Sequence, residues 1–172
     1  AGISKVGEME RLASIIQPTC GAFTMLGTAH AAGFHSPEQK HRQKLQLFAR
    51  AEWVVVPADD NASISLLRSM DVEVVAQLGF GQHLVEVEEV PLHLQFPPLS
   101  PIYLDNAYTA VAVAFTLGLS KEKIALGLAD FKPLSNRLEQ REGLHGGPII
   151  NDSYSNDISA LIAALDFAVA QN

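Results

Sequence analysis

The residues best suited to chemistry lie in one stretch, Cys20–Lys44, CGAFTMLGTAHAAGFHSPEQKHRQK. It reads as a short apolar strand over Cys20–Met25, a glycine-bearing turn, His30 at the strand's outgoing end, and a helix carrying Lys44. In an open α/β sheet ligands bind beyond the carboxyl ends of the strands, which would put both side chains near a ligand. Each also has a plain structural reading. An imidazole in a strand-to-helix loop can simply be exposed, and a lysine at the edge of a buried helix face can carry its ammonium out to water. Asn106 is the third candidate, on the same side as Ala110 and Val113 in the helix PIYLDNAYTAVAVAFTL. A buried amide there must find partners, from backbone groups or from a ligand's hydrogen-bonding edge. Cys20 is the only cysteine. It reads as a small buried hydrophobe rather than a reactive thiol, and a chain without disulfides suits a reducing compartment.

The elements that must position these groups follow from periodicity. Met9, Leu12, Ala13 and Ile16 recur at helical spacing over Gly7–Gln17, and Pro18 stops that helix. Ser36-Pro37-Glu38-Gln39 supplies a cap, a proline at the first helical position and a glutamine three residues on, for a helix to about Arg50 with His41, Leu45 and Phe48 on its stripe. Trp53–Pro57, WVVVP, is the continuous apolar run of a buried parallel strand. Asp59-Asp60-Asn61 ends it and caps a helix over Ala62–Met70. Val72–Leu78 is the next strand, Gly79-Phe80-Gly81 a turn, and the alternation through His83–Glu88 and Pro91–Phe96 predicts an antiparallel pair with both histidines facing solvent. Pro101 opens the Asn106 helix, Gly118 ends it, and Ser120 caps another carrying Ile124, Leu128 and Phe131. Pro133-Leu134-Ser135-Asn136 breaks the pattern and marks a domain boundary, giving residues 1–135 and 136–172. Beyond it come short strands at Leu138–Glu142 and Pro148–Asn151 and a helix at Asp157–Ala170. Strands alternating with helices indicate an α/β fold with a mostly parallel sheet.

Composition narrows the function classes. The 172 residues carry a net charge of −7, from 12 basic and 19 acidic side chains, with no basic block. That argues against non-specific nucleic-acid binding, which needs a basic footprint. No apolar run approaches the roughly 18 residues of a membrane-spanning helix. The opening AGISKVGEMERL has neither the basic region nor the apolar core of a signal peptide. It begins without methionine and in mid-motif, so a fragment or a processed product is expected.

Five stretches in collinear order carry a resemblance: AGISKVGEMERL, IIQPTCGAFTMLGTAH, LDNAYTAVAVAF, SNRLEQREG and IINDSYSND. Together they resemble the Mur ligases, ATP-dependent amide-bond-forming enzymes of peptidoglycan synthesis. Within the family the chain is similar to members that join D-Ala-D-Ala to UDP-N-acetylmuramoyl-tripeptide, in the form fused to an alanine racemase. The resemblance implies that residues 1–135 are the later part of the central ATPase domain. Residues 136–172 would begin the Rossmann-like C-terminal domain. The 172 residues contain no G-x-x-x-x-G-K-[ST] loop to cradle ATP phosphates, so the piece alone is expected to be inactive.

The resemblance also assigns roles. His30 matches a magnesium ligand, and Lys44 the lysine that many members carbamylate into a carboxylate-like anion. Asn106 matches the amide that reads the adenine edge. Arg137 matches the arginine that approaches the nucleotide phosphates from the hinge, and Asp152 an aspartate near the ribose, with Tyr154 and Asn156 in the same turn. ATP and Mg2+ would be the cofactors and the location bacterial cytoplasm, with self-association where a sheet edge and apolar surface are left uncovered. Met25, Ala32, Asn136 and Ser155 stand where the family has other residues. Two alternatives stay open: another Mur or folylpolyglutamate-type ligase, or a non-catalytic excised or degenerate module.

Overall fold

A computed structural model describes residues 2–26, 31–81, 83–96, 101–131, 134–154 and 158–170. The chain begins with helix α1 (Glu8–Ile16) and strand β1 (Cys20–Ala22), followed by helix α2 (Pro37–Leu45). The Ser36 hydroxyl accepts the Gln39 N–H at 3.2 Å, and Pro37 opens α2 as its spacing predicts. The helix is shorter than expected: past Leu45 it tightens into a 3-10 turn, Gln46–Phe48. Its stripe is as read, with His41, Leu45 and Phe48 all buried. Of the α1 stripe only Met9 is buried, and Ile16 is exposed.

Strand β2 (Trp53–Pro57) buries Val54, Val55 and Val56 completely, because both faces of the sheet are covered there. Asp60 caps α3 (Asn61–Arg68), accepting the Ser63 N–H at 3.0 Å. Strands β3 (Glu73–Phe80), β4 (Leu84–Val87) and β5 (Val90–His93) complete a five-stranded sheet of order β1-β2-β3-β4-β5. β1, β2 and β3 are parallel, and β3, β4 and β5 antiparallel, so the sheet is mixed with its parallel half on the Cys20 side. His83 and His93 are exposed, as the alternation requires.

β1 is shorter than the expected Cys20–Met25, because its ladder to β2 ends at Ala22–Val55 apart from one Phe23 N–H to Val55 oxygen bond. β3 instead runs through Gly79 and Phe80, which the glycines had marked as a turn. The reason for Gly79 is lateral. A Cβ there would lie 1.9 Å from the buried Tyr108 ring, whose hydroxyl donates to the Gly81 oxygen at 2.5 Å.

Helices α4 (Pro101–Thr116) and α5 (Lys121–Ala129) cover one face of the sheet, where Tyr108, Val111, Ala112, Ile124 and Leu128 meet Val55, Val75 and Val85. On the other face Phe23, Leu45, Phe48 and Leu67 pack against Val54, Val56 and Val74. The result is three layers, helix–sheet–helix. β6 (Glu139–Glu142) and β7 (Pro148–Asn151) form a separate antiparallel hairpin, followed by α6 (Ile158–Ala170). Ile158, Leu161, Ile162 and Leu165 of α6 are exposed. Among the described residues no helix is long and apolar enough to cross a membrane.

Candidate active site at the strand ends

The parallel half of the sheet delivers the outgoing ends of β1, β2 and β3 to one crevice, the position expected for a ligand. A cavity of about 410 Å³ lies there. Thr24 and Met25 follow β1, Asp59 and Asp60 follow β2, Gln77 comes from β3, and Asp105 and Thr109 come from α4 on the opposite wall.

A closed polar chain fixes one side of it. Ser63 donates its hydroxyl to Asp60 Oδ2 at 2.5 Å and so must accept from His41 Nε2, 2.7 Å away. Nε2 therefore carries the imidazole proton. His41 also stacks on Phe23 with ring centres 5.7 Å apart. Burial holds its pKa below the ordinary imidazole value, with Asp60 pulling upward and Lys44 adding to the fall.

Gln77 stands on the other side and is only 4% exposed. Its amide nitrogen reaches Thr109 Oγ1 at 3.4 Å, while the Thr109 hydroxyl donates to the Asp105 carbonyl oxygen at 3.1 Å. Gln77 Oε1 is buried with no partner among the described residues. Burial and the facing Asp59 carboxylate push the Asp105 carboxyl up.

The candidates read from the sequence separate into groups. Lys44 stands just behind the crevice: its ammonium donates to the Met25 carbonyl at 3.0 Å and lies 5.2 Å from the Phe23 ring centre. It is half-buried rather than extended to water, and burial, then the Lys40 charge, lowers its pKa. Asn106 corrects the expectation of a buried amide. α4 seats Ala107, Tyr108, Val111 and Ala112 on the sheet, which leaves Asn106 exposed one step off that stripe. There it borders a second, apolar cavity of about 280 Å³ between α4 and α5, together with Tyr103, Ala110 and Phe131.

Arg137 and Tyr154 meet in a cation–π contact, the guanidinium carbon 4.0 Å from the ring centre. Asp152 accepts the Leu138 N–H at 3.1 Å, and the Tyr154 N–H donates to the Asn136 oxygen at 3.1 Å. These bonds tie the second strand of the hairpin back to the segment before the first. Burial pushes the Tyr103 phenol up, while Arg137 lowers it and Asp152 raises it further. The first turn of α4 is thus within electrostatic reach of Arg137 and Asp152. His30 and Asn156 lie outside the described residues. Cys20 is half-buried, less enclosed than its apolar setting suggested.

Gln77 and Ser63 had been passed over, and His41 had been read only as part of a helix stripe. Gln77 is the one amide inside the apolar run VEVVAQLGF, which is the signal that could have found it. Asp60 had been read only as a helix cap.

A parallel strand core, helices on both faces and a polar crevice at the strand ends define a ligand-binding α/β domain. Residues 1–96 match the model of the Mur ligase middle domain, more than half of the 172, and the chain belongs to the Mur ligase family. Among its relatives, the UDP-N-acetylmuramoyl-tripeptide--D-alanyl-D-alanine ligase of Bacillus subtilis (strain 168) is 24% identical over 95% of this chain and 39% of its own length. The UDP-N-acetylmuramoylalanine--D-glutamate ligase of Alkaliphilus metalliredigens (strain QYMF) is 43% identical over 67 residues, 39% of this chain and 15% of the relative. The crystal structure of MurF from Acinetobacter baumannii superposes with a TM-score of 0.83 over 99% of this chain and 42% of that one, at 21% identity. MurF of Thermotoga maritima, solved in complex with ADP, gives 0.70 over 95% and 42%, at 19% identity. The chain therefore spans well under half of the length of these relatives.

Proposed function

We propose that this chain is part of an ATP-dependent ligase of peptidoglycan synthesis that joins D-Ala-D-Ala to UDP-N-acetylmuramoyl-tripeptide. The tripeptide's terminal carboxylate would attack the γ-phosphorus of ATP and displace ADP. The dipeptide amine would then attack the acyl phosphate and displace phosphate. Such chemistry is accelerated mainly by positioning, by charge stabilisation and by excluding water from the acyl phosphate.

The observation that carries this reading is the match of residues 1–96 to the Mur ligase middle domain, together with the likeness along 95% of the chain to a ligase of that substrate pair; Tyr103 and Asn106 border one apolar cavity at the start of α4. An apolar cavity bordered by an exposed amide fits a flat heterocycle whose edge the amide reads. A guanidinium fork at the boundary of residues 1–135 and 136–172 fits the phosphates. Asp152, Tyr154 and Asn156 would belong to the ribose side. Lys44, with a lowered pKa and a fixed ammonium, suits carbamylation, which requires the neutral amine. Among the described residues no three His, Cys, Asp or Glu side chains come together to hold a metal. The magnesium assignment rests on His30 and a carbamylated Lys44. The cytoplasmic location, the racemase fusion and self-association through exposed apolar surface such as that of α6 rest on the same resemblance and composition.

The test is ADP release by the longer protein, which should require both UDP-N-acetylmuramoyl-tripeptide and D-Ala-D-Ala. Release that ignores the dipeptide would overturn the reading. The local identity to a D-glutamate ligase favours one rival. ADP release that requires UDP-N-acetylmuramoylalanine and D-glutamate instead would establish it. For the 172 residues alone no ATP turnover is expected; turnover abolished by His30→Ala would contradict that.

A further inference from the structure

Arg137 sits in a backbone that local preference does not favour. Asn136 has φ 63° and Leu138 φ 49°, so left-handed residues flank it on both sides. Asparagine tolerates that region, whereas a leucine there is strained and persists only where its surroundings hold it. The groups that hold it come largely from one place. Asp152 Oδ1 accepts the Leu138 N–H at 3.1 Å, and the Tyr154 N–H donates to the Asn136 oxygen at 3.1 Å. Asn151 donates its side-chain amide to Asn136 Oδ1 at 2.9 Å, and Glu139 takes the Asn136 N–H at 3.0 Å. Asn151 ends β7 and Glu139 begins β6, so Arg137 is fastened to the hairpin that follows it. The two arginines of this region are used differently. Glu139 closes Arg141, accepting from its Nε and Nη2 at 2.9–3.0 Å. Arg137 instead lies over the Tyr154 ring, 4.0 Å from its centre, and among the described residues it has no ion pair. Stacking covers a flat face of the guanidinium and leaves the N–H groups at its edge for a planar anion.

We propose that Asp152 and Tyr154 are positioning residues for Arg137: Asp152 holds Leu138 left-handed, which turns the Arg137 side chain onto Tyr154 and presents the guanidinium edge to a nucleotide phosphate. The phosphate rests on the ligase reading above; the positioning does not, because it is a property of the hairpin alone. This task differs from the ribose contact that the resemblance implies for Asp152. A ligand contact needs the aspartate itself. Holding Leu138 needs only an acceptor at Oδ1, and even that becomes dispensable once residue 138 can take a positive φ without strain, as glycine does. The two roles therefore respond oppositely to a change at Leu138, a residue whose own side chain supplies no polar group.

The test has two arms. In NMR spectra of the 172-residue chain, the Arg137 δ-protons should resonate upfield under the Tyr154 ring current, and Tyr154→Leu should abolish that shift. Asp152→Ala should lose most of it, and Asp152→Asn, which keeps an acceptor, should retain it. Adding Leu138→Gly to Asp152→Ala should restore it. An undiminished shift in Asp152→Ala overturns the proposal, and so does a double variant that keeps a folded amide spectrum without recovering the shift. In the longer protein, Arg137→Ala should raise the KM for ATP by about tenfold or more, the scale of a hydrogen bond to a charged group. Asp152→Ala should raise it less, and the double variant should return towards the starting value. A raised KM that persists in the double variant, although the ring-current shift has recovered, would make Asp152 a direct nucleotide contact and overturn its positioning role. An unchanged KM in Arg137→Ala would overturn the phosphate reading instead, and the two failures are told apart because the ring-current shift is read without nucleotide.

Discussion

The two sides of the crevice use polar groups in opposite ways. Around His41, Ser63 and Asp60 every donor finds an acceptor, and the chain closes on itself. Across from it the Gln77 carbonyl is sealed from solvent with no partner among the described residues, and the Asp59 and Asp105 carboxylates border the cavity. Buried polar networks rigidify a fold when fully satisfied and weaken it when partly satisfied. The first side therefore serves stability, and the second carries an unsatisfied buried group at stability's expense. Natural proteins accept such a conflict at functional sites and compensate for it elsewhere.

That contrast can be broken most sharply at Asp60. Asp60→Ala removes the cap of α3 and strands the buried Ser63 hydroxyl, and should cost about 3 kcal/mol in urea unfolding, combining a lost cap with an unsatisfied buried group. A loss below half of that would mean the closed side is not a structural unit. The opposite sign is expected across the cavity: Gln77→Leu should stabilise by about 1 kcal/mol, the scale of one desolvated group relieved.

The pH response separates the two sides further. The folded-state pKa of His41 lies below its ordinary value of 6.5, so the unfolded chain binds the proton more readily. Stability from this group is full above that value and is lost as pH falls below it through the lower folded-state pKa. The midpoint of thermal unfolding should decline on acidification below neutral pH, and His41→Gln, which keeps a donor for Ser63 but does not titrate, should flatten that decline. Asp105 runs the other way and should give the smallest effect. Its folded-state pKa is raised, so its destabilising charge is present at neutral pH and disappears on acidification. Asp105→Asn should raise the midpoint slightly at pH 7, with the gain vanishing in acid.

Much of the frame was legible in the sequence because its signals are local. Ser36-Pro37, Asp60 and Ser120 each cap the helix that their spacing announced, and WVVVP is a strand whose three valines are fully buried. The errors share a cause. Gly79 was read as a turn because glycine usually punctuates, whereas its reason is the Tyr108 ring packed against it from a distant helix. Asn106 was read as buried because it shares a side with Ala110 and Val113, and only docking decides which stripe such a helix buries. Lys44 was placed correctly at the edge of a buried face, but its bond to the Met25 carbonyl depends on where β1 ends.

The sequence by itself determined the order of elements, the helix ends and the collinear motifs of the Mur ligases, because capping, periodicity and motif spacing act within a few residues. The tertiary structure decided which polar groups meet. Gln77 faces Thr109, thirty-two positions away, and His41 reaches Ser63 across twenty-two. Tyr103 senses Arg137 and Asp152. Nothing in local propensity encodes such pairs. They follow from the parallel strands delivering their ends to one place and from helix α4 crossing above them.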